Sequence, residues 1–314
     1  MLLLIENKKN VIMATKIKNI VFVVNPKCGK FSQKTIQKLL RICVKLQLSV
    51  EVRYTQYASH AIKLVAELDY VDLVISVGGD GTLNEVLNGN MLRKERLLIS
   101  HIPMGTTNDI AEKLGLRKDP IQNLTAILEG EDRSIKIGKI NDFYFFYHVA
   151  TGVFSSVSYT TPIWLKKHLG YMAYVIFAIK EMTKKPQCFN LIINGHNSIE
   201  SLVIVCTSSK IGGFRLINET TDELTIIISR ISSWLKVVEA ILFKRKRQSL
   251  LEVSNVQSLT ITTPHKWCID GESLKKECGN PPYHIEMTYA NILLPKTEKN
   301  NTKWKKAPNE PFLG

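Results

Sequence analysis

One glycine-rich turn has residue types that suit the binding of a phosphate group. Gly78, Gly79 and Gly81 lie in the sequence Gly-Gly-Asp-Gly-Thr, which ends at Thr82 and follows an apolar run that predicts a buried strand. A helix is predicted to begin directly after the turn. Glycines let backbone N–H groups approach an anion closely, and a helix N-terminus adds a partial positive charge. The pattern favours a phosphate site, and its alternative is a plain strand-to-helix turn in which Thr82 caps the helix.

Asp80 stands in the middle of this turn, where its carboxylate would repel a phosphate group. A metal ion or a lysine between the two negative groups would remove the repulsion. Lys30, in the turn after the first predicted strand, could pair with Asp80 or neutralise phosphate, and a solvated lysine is the alternative. The turn therefore indicates a nucleotide-phosphate site that works with Mg²⁺.

Alternating strands and helices between residues 17 and 130 must position these side chains, and they predict an α/β domain with a parallel sheet. Ligands of such sheets bind at the carboxyl ends of the strands, where the connecting turns meet. Three polar turns follow predicted strands there: 25–30, 78–82 and 103–109. The third contains Thr106, Thr107 and Asn108, which could bond phosphate or ribose; helix capping by Asn108 or Asp109 is the alternative.

After Gly130 the pattern changes to short alternating strands, one of them predicted over 143–152, with helices near 163–184 and 232–246. We expect a mainly antiparallel β-sandwich domain. The expected domains are 13–130, doubly wound α/β, and 131–290, with extensions at 1–12 and 296–314. A cleft between two such domains is a natural place for a site.

Asp270, followed by Gly271 and Glu272, is the second feature that could do chemistry. Asp-Gly between two strands predicts a hairpin turn. The functional alternative is a carboxylate general base, because phosphoryl transfer to a hydroxyl needs a residue that orients the alcohol and accepts its proton.

The net charge of +14, from 42 basic and 28 acidic residues, indicates an anionic partner. Basic residues at the ends of the two later helices favour an anionic membrane surface: Lys166, Lys167, Lys184, Lys185 and 244–247. No nucleic-acid-binding module is recognisable, so nucleic acid is not an expected partner. We expect no signal peptide, because the N-terminal apolar run is too short, and no membrane-spanning helix, because no apolar run reaches the roughly 20 residues that span a bilayer. We expect a cytoplasmic protein that associates peripherally with membranes, and a homodimer is left open.

The motifs occur in an ordered combination: Gly78 to Thr82 with Asn84-Glu85, then Pro103-x-Gly105-Thr-x-Asn108-Asp109, and finally Asp270-Gly271-Glu272. Over residues 17 to 290 this order resembles the diacylglycerol kinase catalytic-domain family, especially its soluble bacterial members. The resemblance implies an N-terminal domain like those of phosphofructokinases and NAD kinases. It also implies ATP-dependent phosphorylation of a lipid hydroxyl with Mg²⁺, most directly diacylglycerol to phosphatidic acid.

The same resemblance assigns roles to individual residues. It places the ATP phosphates on the 78–82 turn, with contributions from Asn25 and from the turn that begins at Gly105. Glu85 would fix the glycine turn, and Asp270 would be the general base. The polar network that orders the site would comprise Lys30, Asp80, Asp109 and Glu272. Three alternatives stay open: another lipid acceptor such as a sphingoid-like one, a soluble acceptor as in NAD kinases, and a non-catalytic nucleotide- or membrane-binding relative.

Two positions depart from the family pattern. Lys136 stands where these proteins tend to have an aspartate that is associated with a structural Mg²⁺ in the second domain. We expect that this metal site is absent and that the Lys136 ammonium replaces the ion, pairing with Asp222 or Glu223. Glu112 stands where an arginine is usual, so the network near Asp109 is expected to differ.

Overall fold

The structure is a computed structural model that describes most of the chain between residues 17 and 296. The described ranges are 17–106, 108–152, 188–207, 210–211, 214–215, 223–230, 252–263, 267–270, 272–273 and 280–296. Several predictions concern residues outside these ranges. They are Thr107, Asp222, Gly271, the two later helices with their basic ends, and both extensions except Lys296. For Glu272, the structure describes the backbone but not the side chain.

The chain divides into two compact units. The first unit runs up to Ile135 and resumes at Ala290, and the second unit comprises Lys136–Tyr289. The sequence predicted a second domain over 131–290. In the structure, residues 131–135 and the end of the last strand, from Ala290 onward, belong to the first unit.

Parallel strands form the centre of the first unit, in the order β2-β1-β3-β4. The end of β18 adds a fifth parallel strand beside β4, with Ile292 opposite Ile99. The strands are β1 (Asn19–Val24), β2 (Ser49–Tyr54), β3 (Leu73–Gly78), β4 (Ile99–Pro103) and β18 (Tyr283–Leu294). The helices are α1 (Gln33–Lys45), α2 (His60–Ala66), α3 (Asp80–Met91), α4 (Asp109–Lys113) and α5 (Pro120–Leu128). The doubly wound α/β architecture expected from the sequence is confirmed.

Strand β3 is buried at every position, as a parallel strand covered on both faces should be. Helix α1 begins where the sequence predicts, because the Ser32 side chain accepts a hydrogen bond from the N–H of Thr35. Helix α3 packs closely on α2 at Gly89, where a Cβ atom would lie 2.5 Å from the carbonyl oxygen of Ile62. This close packing fixes the last part of α3 against α2.

Antiparallel strands dominate the second unit, as expected. A six-stranded sheet has the order β14-β13-β10-β7-β16-β17. In addition, β15 pairs with the first half of β18 and with β8, β8 pairs with β9, β5 pairs with β6, and β11 with β12. The remaining strands are β5 (Glu131–Ile140), β6 (Phe143–Phe145), β7 (His148–Gly152), β8 (Phe189–Ile193), β9 (His196–Glu200), β10 (Leu202–Cys206), β11 (Lys210–Ile211), β12 (Phe214–Arg215), β13 (Leu224–Ser229), β14 (Glu252–Val256), β15 (Ser258–Thr262), β16 (Trp267–Ile269) and β17 (Glu272–Ser273).

One predicted strand is wrong in a way that bears on function. The stretch 143–152 is two strands, β6 and β7, separated by a bend at Phe146 and Tyr147. The backbone N–H groups at the bend bind the Asp270 side chain instead of a neighbouring strand. The pattern of apolar residues carries no sign of this interruption, because its cause lies more than 120 residues away.

Candidate functional site

The strand order of the first unit places a switch point between β1 and β3. The chain leaves β1 for β2 on one side, and returns to form β3 on the other side. In open α/β sheets, ligands bind outside the carboxyl ends of the strands at such a point. The turns after β1 and β3 meet there, because the N–H of Asn25 donates to the carbonyl oxygen of Val77 at 2.9 Å.

The two glycine turns of the sequence motif contact each other through their backbones. A Cβ atom on Gly105 would lie 2.6 Å from the Cα of Gly79 and 2.6 Å from Oδ1 of Asn108. A Cβ on Gly78 would lie 2.5 Å from Oγ1 of Thr82. The glycines are therefore required by the packing of the turns, in addition to any room that they leave for a ligand.

Asp80 joins these turns through its carboxylate. Oδ2 accepts a hydrogen bond from the N–H of Asp109 at 2.8 Å, and Oδ1 accepts one from the N–H of Ile110 at 3.2 Å. Asp80 thus caps the start of α4 from another element, whereas the alternative drawn from the sequence was capping by Asn108 or Asp109. The N–H groups also offset part of the negative charge that made this carboxylate unfavourable beside phosphate.

Asn108 closes its own turn instead of capping α4. Its side chain accepts from the N–H of Gly105 at 2.8 Å and donates to the carbonyl oxygen of Gly105 at 3.1 Å. The residue has φ +55°, a left-handed conformation that asparagine tolerates better than most residues. Thr106 is exposed, and its Oγ1 would be 2.7 Å from a Cβ atom placed on Gly29.

Asn25 lies against the glycine turn. Its Nδ2 donates to Oγ1 of Thr82 at 3.2 Å, and its Oδ1 accepts from the N–H of Lys27 at 2.9 Å. Lys30 is exposed on the same edge, and its backbone N–H donates to the carbonyl oxygen of Met104 at 2.9 Å. These contacts bring the turns after β1, β3 and β4 together.

Glu85 has a role that the sequence did not predict. One of its carboxylate oxygens accepts from the N–H of Ser59 at 2.8 Å, and the other accepts from the N–H of Ala61 at 3.3 Å. Glu85 therefore fixes the loop before α2 to helix α3. Two further residues of the predicted network, Asp109 and Glu112, have exposed side chains on α4.

Asp270 lies in the second unit, in the two-residue hairpin between β16 and β17, so the turn predicted by Asp-Gly is present. Its φ of +46° suits a primed hairpin turn. The carboxylate accepts hydrogen bonds from three consecutive backbone N–H groups: Phe146 at 2.7 Å, Tyr147 at 2.8 Å and His148 at 3.0 Å. These donors hold the carboxylate in one orientation.

Thr207 supports the loop that binds Asp270, and it is not among the site residues that the sequence predicted. The Thr207 hydroxyl, which is buried, donates to the carbonyl oxygen of Phe146 at 2.7 Å, and its N–H donates to that of Tyr147 at 3.0 Å. A threonine at the end of an ordinary strand gives no local signal of this role.

Lys136 contacts Glu223, one of its two expected partners, through the backbone of that residue. Its Nζ donates to the backbone carbonyl oxygen of Glu223 at 2.9 Å. Asp222, the other expected partner, is outside the described residues. Within the described part of the chain, no three His, Cys, Asp or Glu side chains are grouped so that they could hold a metal ion.

The fold and the two glycine turns place the first unit among α/β domains whose ligand site is at a strand switch point. Residues 19–140 match the model of the family described as the diacylglycerol kinase catalytic domain. This match covers the glycine turns, Asp80, Glu85 and Asn108, and it confirms the resemblance that the motifs indicated.

Relatives at the sequence level are diacylglycerol kinases of bacteria. The protein of Staphylococcus carnosus (strain TM300) is 36% identical over 173 residues, which are 54% of this chain and 55% of the relative. That of Bacillus subtilis (strain 168) is 34% identical over 161 residues, 50% of this chain and 53% of the relative. The chain thus spans about half the length of the curated relatives that it matches.

Solved structures extend the likeness of the fold to most of the chain. The crystal structure of a diacylglycerol kinase from Bacillus anthracis str. Sterne covers 89% of this chain and 98% of its own, with TM-score 0.68 and 22% identity. A second structure from this organism has TM-score 0.71 at 22% identity, and it covers 89% of this chain and 96% of its own. At this identity the comparison supports the shared fold, with its α/β and antiparallel parts.

Proposed function

We propose that this chain is an ATP-dependent lipid kinase that transfers the γ-phosphoryl group to the hydroxyl of diacylglycerol and forms phosphatidic acid. The observation that carries the proposal is the contact of Gly79 with Gly105 beside the strand switch point, inside the segment that matches the diacylglycerol kinase catalytic domain. The names of the bacterial relatives support diacylglycerol as the acceptor.

The first unit would bind the phosphates of ATP. Helix α3 has twelve residues and begins at this edge of the sheet with Gly79 as its N-cap, so its partial positive charge lies beside the turn. Lys30 adds a full positive charge on an exposed side chain at the same edge. The glycine turn and the lysine together would compensate the charge that spreads over the γ-phosphoryl group during transfer.

Mg²⁺ would enter as the complex with ATP. Magnesium at such sites keeps several waters and uses phosphate oxygens with one or two carboxylates. Asp80 fits this requirement as one carboxylate, because it lies between Gly79 and Gly81 in the turn where the phosphates would bind. The ion would neutralise phosphate charge, and Asp80 would hold the two turns in place.

We further propose that Asp270 orients the acceptor hydroxyl and takes its proton. Three N–H donors hold the carboxylate in one orientation. Orientation is what this role requires, because phosphoryl transfer through a loose transition state depends chiefly on positioning and electrostatics.

An anionic membrane surface is the proposed location of the substrate. Helix α1 carries four exposed basic side chains and no acidic residue; the basic residues are Lys34, Lys38, Arg41 and Lys45. Each basic residue near an anionic bilayer contributes about 1 kcal/mol of attraction. Among the residues that the structure describes, no helix has the length and apolar character to cross a bilayer. Sedimentation with phosphatidylcholine vesicles, with and without phosphatidylglycerol, tests this proposal, and equal binding to both would contradict it.

The experiment that tests the function is phosphorylation by labelled ATP in mixed micelles that contain diacylglycerol, a sphingoid base or a soluble acceptor such as NAD. We expect label in phosphatidic acid. Asp270→Asn should lower turnover by several orders of magnitude and leave ATP binding close to that of the wild type. Asp142→Asn, an exposed aspartate in another turn of the second unit, is the control. Label in another acceptor, or full activity of Asp270→Asn, would refute the respective assignment.

A further inference from the structure

An aromatic pair, the exposed Tyr57 and the half-buried His60, lies where the loop after β2 meets the start of α2. The rings of Tyr57 and His60 stack with their centroids 4.4 Å apart and their planes 20° from parallel. The Tyr57 side chain is exposed at 56%, so one flat face of a preformed stack is open to solvent. An exposed, oriented aromatic face is suited to stacking on another flat ring.

Hydrogen bonds fix this loop to the parts of the chain that form the phosphate turns. Nδ1 of His60 accepts from the N–H of Gln56 at 3.1 Å, which sets the orientation of the imidazole. Lys27, in the turn after β1, donates from Nζ to the carbonyl oxygen of Gln56 at 3.4 Å. Glu85 binds the N–H of Ser59 and thereby connects the loop to α3, the helix that begins at the glycine turn. The aromatic pair is therefore part of a rigid edge and not the tip of a loose loop.

The strand order gives the distance between the aromatic pair and the phosphate turn. Strand β2 is separated from β3 by β1 alone, and the loops after all three strands lie at the carboxyl edge of the sheet. Neighbouring strands are about 4.8 Å apart, so the loop after β2 lies roughly 10 Å from the glycine turn. A nucleotide whose phosphates occupy the turn can place its base at that distance.

We propose that the open face of Tyr57 binds the nucleobase of ATP by stacking. This inference rests on the proposed ATP site at the glycine turn, and it names the part of the site that holds the base. A stacked base is recognised by its π-face, which every nucleobase has. The subsite therefore strengthens nucleotide binding without selecting strongly between adenine and guanine.

Isothermal titration of the full chain with Mg-ATP and with Mg-tripolyphosphate tests the inference. Tyr57→Ala should weaken ATP binding about tenfold, in the range of base–aromatic stacking, and leave tripolyphosphate binding unchanged. Tyr57→Phe, which keeps the ring, should bind both ligands as the wild type does. Tyr70→Ala is the matched control, because Tyr70 is exposed at 72% but precedes β3, at the opposite edge of the sheet.

Two results would overturn the inference. One is a Tyr57→Ala variant that binds ATP with unchanged affinity, and the other is an equal loss of affinity for both ligands. The outcome is separate from that of the lipid assay. A chain that binds ATP through Tyr57 but phosphorylates no lipid would sustain this inference and refute the proposed acceptor.

Discussion

The Asp80 carboxylate accepts a hydrogen bond at 2.8 Å from the backbone N–H of Asp109, which lies in the turn after the neighbouring strand. The two turns are also in backbone contact at Gly79 and Gly105. Asp80 therefore fixes the distance between the two halves of the candidate phosphate site, and it does so as a helix cap.

Replacing Asp80 by alanine should lower both stability and ATP affinity. The loss of the cap should reduce the free energy of unfolding by about 1–2 kcal/mol, which chemical denaturation can measure. Asp119→Ala is the matched control, because the Asp119 carboxylate caps α5 through the N–H of Gln122 at 2.8 Å. We expect Asp119→Ala to lower stability but not ATP affinity. Unchanged ATP binding in Asp80→Ala would mean that the turn–turn contact does not shape the site.

Replacing Gly105 by alanine should disturb the contact of the turns directly. The added methyl group would be 2.6 Å from the Cα of Gly79, so one turn must shift, at a cost of about 1–3 kcal/mol. Gly115→Ala is the control: its φ of +70° makes alanine strained, but the space around it is open. Both variants should have a lower melting temperature in calorimetry, and Gly105→Ala alone should lose ATP binding. Equal ATP affinities in the two variants would count against the packing argument.

Thr207→Val should test whether the 146–148 loop positions Asp270. Loss of the hydroxyl leaves the Phe146 carbonyl oxygen without this donor, and burial of such a group costs roughly 1–3 kcal/mol. We expect a lower kcat with an unchanged KM for ATP, and recovery in Thr207→Ser, which keeps the hydroxyl. A fall in kcat that Thr207→Ser does not restore would point to packing of the side chain instead.

His101 should make the first unit sensitive to mild acid. Burial in β4 lowers the pKa of His101 from 6.5 to about 3, while its Nδ1 is 3.1 Å from both the carbonyl oxygen and the hydroxyl of Ser76. Between these pH values the unfolded chain binds the proton and the folded chain does not, so stability falls as the pH falls below 6.5.

Denaturation at pH 7 and pH 5 checks this effect of His101. Between pH 7 and pH 5, the free energy of unfolding should fall by about 2 kcal/mol more in the wild type than in His101→Gln, since glutamine does not titrate. The control is His196→Gln, which replaces an exposed histidine of the second unit. Parallel losses in the wild type and His101→Gln would show that other groups cause the acid sensitivity.

The sequence by itself determined the elements and the local turns of this protein. Apolar runs such as the one before Gly78 identify buried strands, and a Ser32 cap or an Asp-Gly hairpin depends on neighbours within a few residues. The ordered glycine motifs also indicated the likeness to the diacylglycerol kinase catalytic domain, because each motif is a short continuous segment. These features can be predicted, since the interactions that create them are local.

Only the tertiary structure decided what the polar side chains bind. Asp80 and Glu85 bind backbone N–H groups 29 and 26 residues away, those of Asp109 and Ser59, at the starts of α4 and α2. Asp270 binds N–H groups more than 120 residues away and divides a predicted strand. A carboxylate satisfies whichever donors the fold brings to it, and that choice depends on strand order and helix packing, which no local pattern encodes.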